Sequence, residues 1–236
     1  MYGMYGMYFD PTYGLVLIGA VICMIASWHV NHTYGIYSQI RSATGMTGAQ
    51  TAQRIISACG LEGVTVRHVS GELTDHYDPR DKTVNLSDAV YGSASVAAIA
   101  VAAHECGHAL QHQRSYVPLK IRGALVPVAN FGSAIAWPII LIGFFINSRT
   151  GSLLIQAGII CFSMAVLFQL VTLPVEFDAS HRALRIIEDT GIVGHEEMKL
   201  SRKVLVAAAL TYVAGAASSI LQLLRLILLF GGRDDD

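Results

Sequence analysis

Residues 104–108 read His-Glu-Cys-Gly-His, a spacing that on a helix can do metal chemistry. At 3.6 residues per turn, His104 and His108 leave one face a turn apart, so both imidazoles reach a single metal ion. Glu105 lies beside them. Zinc held this way keeps a position for a water and makes that water a usable nucleophile near neutral pH. Glu105 is then the expected base, taking a proton from the water that attacks a carbonyl and leaving it on the departing amine. Three fixed positions in five also arise by chance, and two histidines on a helix are often hydrogen-bonded core residues. The context favours the metal. Residues 89–103 form an almost unbroken run of small apolar side chains, with Ser87 or Ser93 available as its N-cap. A helix so apolar carries His and Glu into a dry interior only with a compensating partner.

The elements that must position this pentapeptide belong to a membrane protein. Of 236 residues, 53% are hydrophobic and only 14% charged, and the mean hydropathy is +0.49, too apolar for an ordinary soluble domain. A net charge of −1, with no basic tract, gives no sign of a nucleic-acid partner. Cys23, Cys59, Cys106 and Cys161 are scattered without CxxC spacing and read as reduced packing residues. Four stretches are apolar and long enough to span a bilayer, at about 13–30, 124–146, 153–175 and 204–226. The first lacks a positive leader and a small-residue cleavage site, so it is expected to stay as an anchor. Pro127 and Pro138 are expected to bend the second, the freed carbonyls being satisfied inside the bundle. Most Lys and Arg fall in 31–123 and 176–203, and the positive-inside rule puts both of these catalytic loops in the cytoplasm. The opposite side holds Arg149 and Arg233, with Arg225 near the end of the last span. The whole chain, 1–236, thus reads as one membrane-embedded domain: mainly α, a polytopic bundle of about four transmembrane helices.

A third ligand must come from the same side as the histidines. After the third span the chain reads Leu-Pro-Val-Glu-Phe-Asp-Ala-Ser-His-Arg-Ala-Leu, a helix emerging from the membrane with Glu176 in its first turn. Glu176 completes a His₂Glu set with water in the fourth position. Asp178 is its rival, but it lies about 200° around the helix from Glu176 and suits a supporting or salt-bridge role better. His181, Arg182 and Arg185 follow on the same helix as candidate donors to the oxyanion, and His181 is preferred as the second catalytic residue. His112 shares the histidine face but lies far along the axis, which suits a supporting or surface role. Position 114, where a metzincin needs a third histidine, is Arg114.

The first loop also carries strand signals. Residues 63–69 alternate apolar and polar, and 75–87 read as two short strands around a Pro-Arg-Asp-Lys turn. A small sheet before the HExxH helix is therefore expected, with Thr83 to Leu86 as the edge strand holding an extended substrate, or else a purely structural hairpin. Thr47 to Cys59, between Gly45 and Gly60, is an amphipathic helix with Ile55 and Ile56 inward. The terminal Met-Tyr-Gly repeat reads as a flexible leader with tyrosines at the interface, and the final GGRDDD as a solvated tail.

The block YDPRDKTVNLSDAVYGSASVAAIAVAAHECGHALQHQ, with LPVEFDASHRAL and the early TGAQTAQRIISACGL, resembles the YugP-like membrane zinc metallopeptidases of bacteria, from about Tyr34 through the fourth span. The resemblance implies an integral membrane endopeptidase with one zinc ion in a gluzincin arrangement of two histidines and a glutamate. It also implies a multi-pass protein of the bacterial cytoplasmic membrane, acting on a peptide or protein substrate, whether soluble or membrane-associated. In the HtpX and CAAX prenyl protease families, of similar layout, an Asp stands four residues after the glutamate; here that residue is Ser180. The competing readings are a catalytically silent scaffold with a structural zinc and a metal-transport component. Sparse charge deep in the spans argues against transport.

Overall fold

The structure is a computed structural model that describes residues 10–146 and 148–231. The Met-Tyr-Gly repeat and most of the GGRDDD tail, Arg233 included, lie outside the described residues. In chain order the elements are α1 (Tyr13–Tyr37), α2 (Gly48–Cys59), β1 (Thr65–His68), β2 (His76–Asp78), β3 (Thr83–Leu86), α3 (Asp88–Tyr91), α4 (Val96–Gln113), α5 (Val117–Phe145), α6 (Arg149–Asp189) and α7 (His195–Phe230). The helices α1, α5, α6 and α7 are each long and apolar enough to cross a membrane. The fold is mainly helical, as its composition predicts.

The chain divides into two compact units. The first comprises residues up to Ile25, Ala124–Leu170 and the chain from Ala214 onward. Its helices approach closely at glycines: a Cβ on Gly132 would meet the Cys161 carbonyl at 2.6 Å, and one on Gly158 would meet Ile140 at 2.4 Å. Small residues allow this approach where no hydrophobic effect drives apolar helices together. Pro127 and Pro138 lie inside α5, which runs unbroken through both. Arg225, the charge foreseen near the end of the last span, pairs with Asp10 at 3.5 Å and stacks over the Tyr13 ring at 4.3 Å.

The second unit, Ala26–Gly123 with Val171–Val213, contains the sheet and the HExxH helix. α2 forms as its sequence dictates. The Thr47 hydroxyl accepts from the Gln50 amide, the Gln50 side chain accepts from the Thr47 amide, and Gly60 ends the helix in the left-handed conformation. Ile55 and Ile56 are buried against α4, Val84 and Leu86.

Two expectations are corrected here. Residues 89–103 are not one helix: α3 starts after Ser87 and ends at Gly92, and α4 starts afresh at Val96, where the Ser95 hydroxyl accepts from the Ala98 amide. The run Gly92-Ser93-Ala94-Ser95 breaks the helix because glycine and serine favour caps and turns over helix interiors. And β3 is not an edge. The sheet order is β1-β3-β2, with β1 parallel and β2 antiparallel to β3, whose four residues are all buried. Both ladder faces of Thr83–Leu86 are occupied, so the edge beside α4 is β2.

Candidate metal centre

α4 is a buried helix of alanines and β-branched residues, and its last two turns carry the chemistry. Small side chains bring its backbone close to α6. A Cβ on Gly107 would lie 2.5 Å from the Ala179 carbonyl oxygen, so no larger residue fits there without a shift. This approach sets the histidines against Glu176. His104 Nε2 is 3.3 Å and His108 Nε2 is 3.6 Å from Glu176 Oε2. The imidazole centroids are 4.8 Å apart and the rings nearly perpendicular. Glu105 is 7% exposed, His108 9% and Glu176 2%. Burial disfavours the charged form of His108, yet the Glu176 and Glu105 carboxylates outweigh it and raise its pKa.

Each ligand is oriented from behind. Ser180 Oγ lies 3.1 Å from His104 Nδ1. His108 Nδ1 donates to Gln111 Oε1 at 3.0 Å, while Gln111 Nε2 donates to the Val175 carbonyl and to Asp178, both at 2.8 Å. Arg182 Nε holds the same Asp178 oxygen at 2.6 Å. With both Nδ1 atoms engaged, both Nε2 atoms face Glu176, the ring orientation that metal-binding histidines need. Asp178 is thus bound by Gln111 and Arg182 and lies outside the group that could hold an ion.

These residues fit a metal. Glu176 Oε2 is buried without a hydrogen-bond partner, although two imidazole nitrogens face it. Bonds of about 2.0–2.1 Å in tetrahedral geometry put ligand atoms about 3.3 Å apart, close to the two spacings here. Among the described residues His104, His108 and Glu176 form the one group of three or more His, Cys, Asp or Glu side chains that could hold an ion.

The other candidates lie elsewhere. His181 is exposed on α6 and outside this group. Arg182 is committed to Asp178 and stacks over Tyr116, and Arg185 is exposed. His112 Nδ1 is hydrogen-bonded with the Tyr77 hydroxyl at 2.8 Å and lies outside the metal group. Two residues that sequence reasoning did not assign to the site point into it. Arg122 Nη1 is 3.7 Å from Glu176 Oε1, and its Nε is buried with no partner. The Tyr212 side chain of α7 interacts with Glu176 and feels the charges of Glu105 and Arg122. No spacing rule links positions 122 and 212 to the pentapeptide, and in the sequence Arg122 is one basic residue among several in the 31–123 loop.

The family model described as "Putative neutral zinc metallopeptidase" matches residues 12–231. The chain belongs to that family. It shares 49% identity over 212 residues with a protein of Bacillus subtilis (strain 168) described as "Putative membrane protease YugP", covering 89% of this chain and 93% of that one. No solved structure matches it. Family and relative agree with the resemblance drawn from the motifs. In this family member, the position that holds Asp in the HtpX-like pattern holds Ser180, whose hydroxyl meets His104 at 3.1 Å. A carboxylate is absent there, but a partner for the imidazole is not.

Proposed function

We propose that this protein is a multi-pass membrane endopeptidase whose single zinc ion is held by His104, His108 and Glu176. The observation that carries the reading is the buried, hydrogen-bond-free Glu176 oxygen facing two Nε2 atoms whose rings are fixed from behind. Bound zinc supplies a water acidified to near neutrality and a Lewis acid for a carbonyl. Glu105 accepts the proton of the attacking water on its carboxylate and returns it to the leaving nitrogen. Arg122, with an unused buried Nε, donates to the developing oxyanion, and Tyr212 is placed to assist. Arg122 is favoured over His181 because it reaches Glu176 while His181 is exposed. An extended peptide or protein substrate lies along β2, the edge strand tied to α4 by the Tyr77 to His112 bond. Beside it a cavity of about 280 Å³, lined by Val64, Tyr77, Lys82 and His112, receives a side chain.

The test is hydrolysis of an unfolded casein-like protein by the purified wild type and Glu105→Gln, with zinc measured in both. Zinc in both and cleavage by the wild type alone is expected; equal cleavage by Glu105→Gln overturns the mechanism. Arg122→Gln is expected to lower kcat by about 10²–10³-fold with zinc retained, whereas His181→Ala changes it little; the reverse pattern restores His181. The excess of Lys and Arg in the two loops favours a site on the cytoplasmic side. An impermeant thiol reagent is therefore expected to label Arg54→Cys in inverted vesicles only, and labelling in intact cells would reverse the orientation.

A further inference from the structure

In the second unit a groove of about 340 Å³ runs between the last turns of α1 and the first turns of α7, lined by His29, Ile36 and Tyr37 on one side and Arg202, Lys203 and Val206 on the other. Both walls lie where an apolar stretch ends: α1 turns polar after about residue 30, and α7 turns apolar at about residue 204. Headgroups occupy this level of a bilayer, and the stacked Trp28 and His32, 5.0 Å apart, are of the aromatic kind that anchors there. The groove is apolar at Ile36 and Val206 and cationic at Arg202 and Lys203. Those two charges are uncompensated. Among the described residues neither makes an ion pair, and the nearby acids on α7 are committed elsewhere: Glu196 to Lys199 at 2.7 Å, and Glu197 to the Ser42 hydroxyl and the Ala43 amide. Lys203 lies over the Tyr37 ring, 6.0 Å from its centroid, which keeps the ammonium over the groove.

We infer that this groove is a specific site for an anionic glycerophospholipid, its phosphate between Arg202 and Lys203 and its glycerol and upper acyl chain against Ile36 and Val206. A basic pocket between helices at the membrane surface selects negative headgroups, and the apolar wall selects a lipid over a free anion. The inference is independent of the catalytic reading.

Lipid titration of the delipidated full-length protein, followed by native mass spectrometry, tests it. The wild type is expected to retain phosphatidylglycerol and to lose phosphatidylcholine. The double variant Arg202→Gln/Lys203→Gln is expected to bind phosphatidylglycerol about 25-fold more weakly, at about fivefold per basic charge. Lys199→Gln, which removes a cation already paired with Glu196, is expected to match the wild type. Val206→Trp fills the groove with both charges in place and is expected to lose the lipid as well; an unchanged cooperative melting transition in detergent reports that each variant is folded. Equal retention of phosphatidylglycerol by the wild type and either groove variant overturns the site. Displacement of the lipid by millimolar inorganic phosphate assigns the groove to a free anion and overturns the lipid.

Discussion

The side chains that could hold a metal are themselves held by neighbours outside their group. Ser180 and Gln111 each hold one imidazole by its Nδ1, so ring rotation is prevented before any ion arrives. Ser180→Ala removes the partner of His104 and is expected to weaken zinc binding by about 10–100-fold. Competition with a chromophoric chelator measures this, and an unchanged affinity would show that Ser180 is a bystander. Cys106 makes a different prediction. It is fully buried beside the ligands, its Sγ lies 3.8 Å from the Ala52 carbonyl, and burial pushes its thiol well above the ordinary range. The thiolate is the reactive form, so a soluble alkylating reagent at pH 8 is expected to spare Cys106 until the protein unfolds; modification of the folded protein, read by peptide mass spectrometry, would contradict its packing. That His104, His108 and Glu176 come together was legible from helical period and topology. Ser180 and Gln111 were not assigned, because a hydrogen bond across 76 positions leaves no periodic trace.

At the scale of elements, local signals succeeded and pairings failed. The capping box of α2 is written in adjacent residues, and Thr47→Ala is expected to cost about 1 kcal/mol, seen as a lower melting temperature with zinc content unchanged. The strands were also legible as strands. Their order was not, because β1 joins β3 in parallel by passing over β2, and sequence neighbours favour the simple hairpin. Misplacing β3 at the edge followed from that one missing partner. The division between α3 and α4 was hidden in another way: Gly92 and Ser95 are small enough to pass inside an apolar run, and their capping role emerges only with the Ala98 amide. Gly107→Ala is expected to cost about 1–3 kcal/mol by forcing α4 from the Ala179 carbonyl. A melting curve together with zinc affinity checks it, since separation of the two helices lowers both.

For the whole molecule, composition announced a membrane protein, and four long apolar helices agree with it. Glu176 Oε2 is buried and makes no hydrogen bond among the described residues, so a zinc ion bound there would stabilise the fold: chelation is expected to lower the unfolding midpoint in detergent and added zinc to restore it. Zinc at a hundredfold above its dissociation constant contributes about 2.7 kcal/mol. Glu176→Gln is expected to lose most of this response, and an equal response in that variant would place the stabilising ion elsewhere. The ligands also occur in a fixed order along the chain. His104 and His108 are synthesised first, then all of α5 and the apolar first half of α6, and only afterwards Glu176. A ribosome that has made the histidine pair still has one apolar helix and the apolar half of a second to deliver before Glu176 exists. The grouping of His104, His108 and Glu176 therefore cannot form in the nascent protein until α5 and the apolar half of α6 have been made, while α7 is still to come.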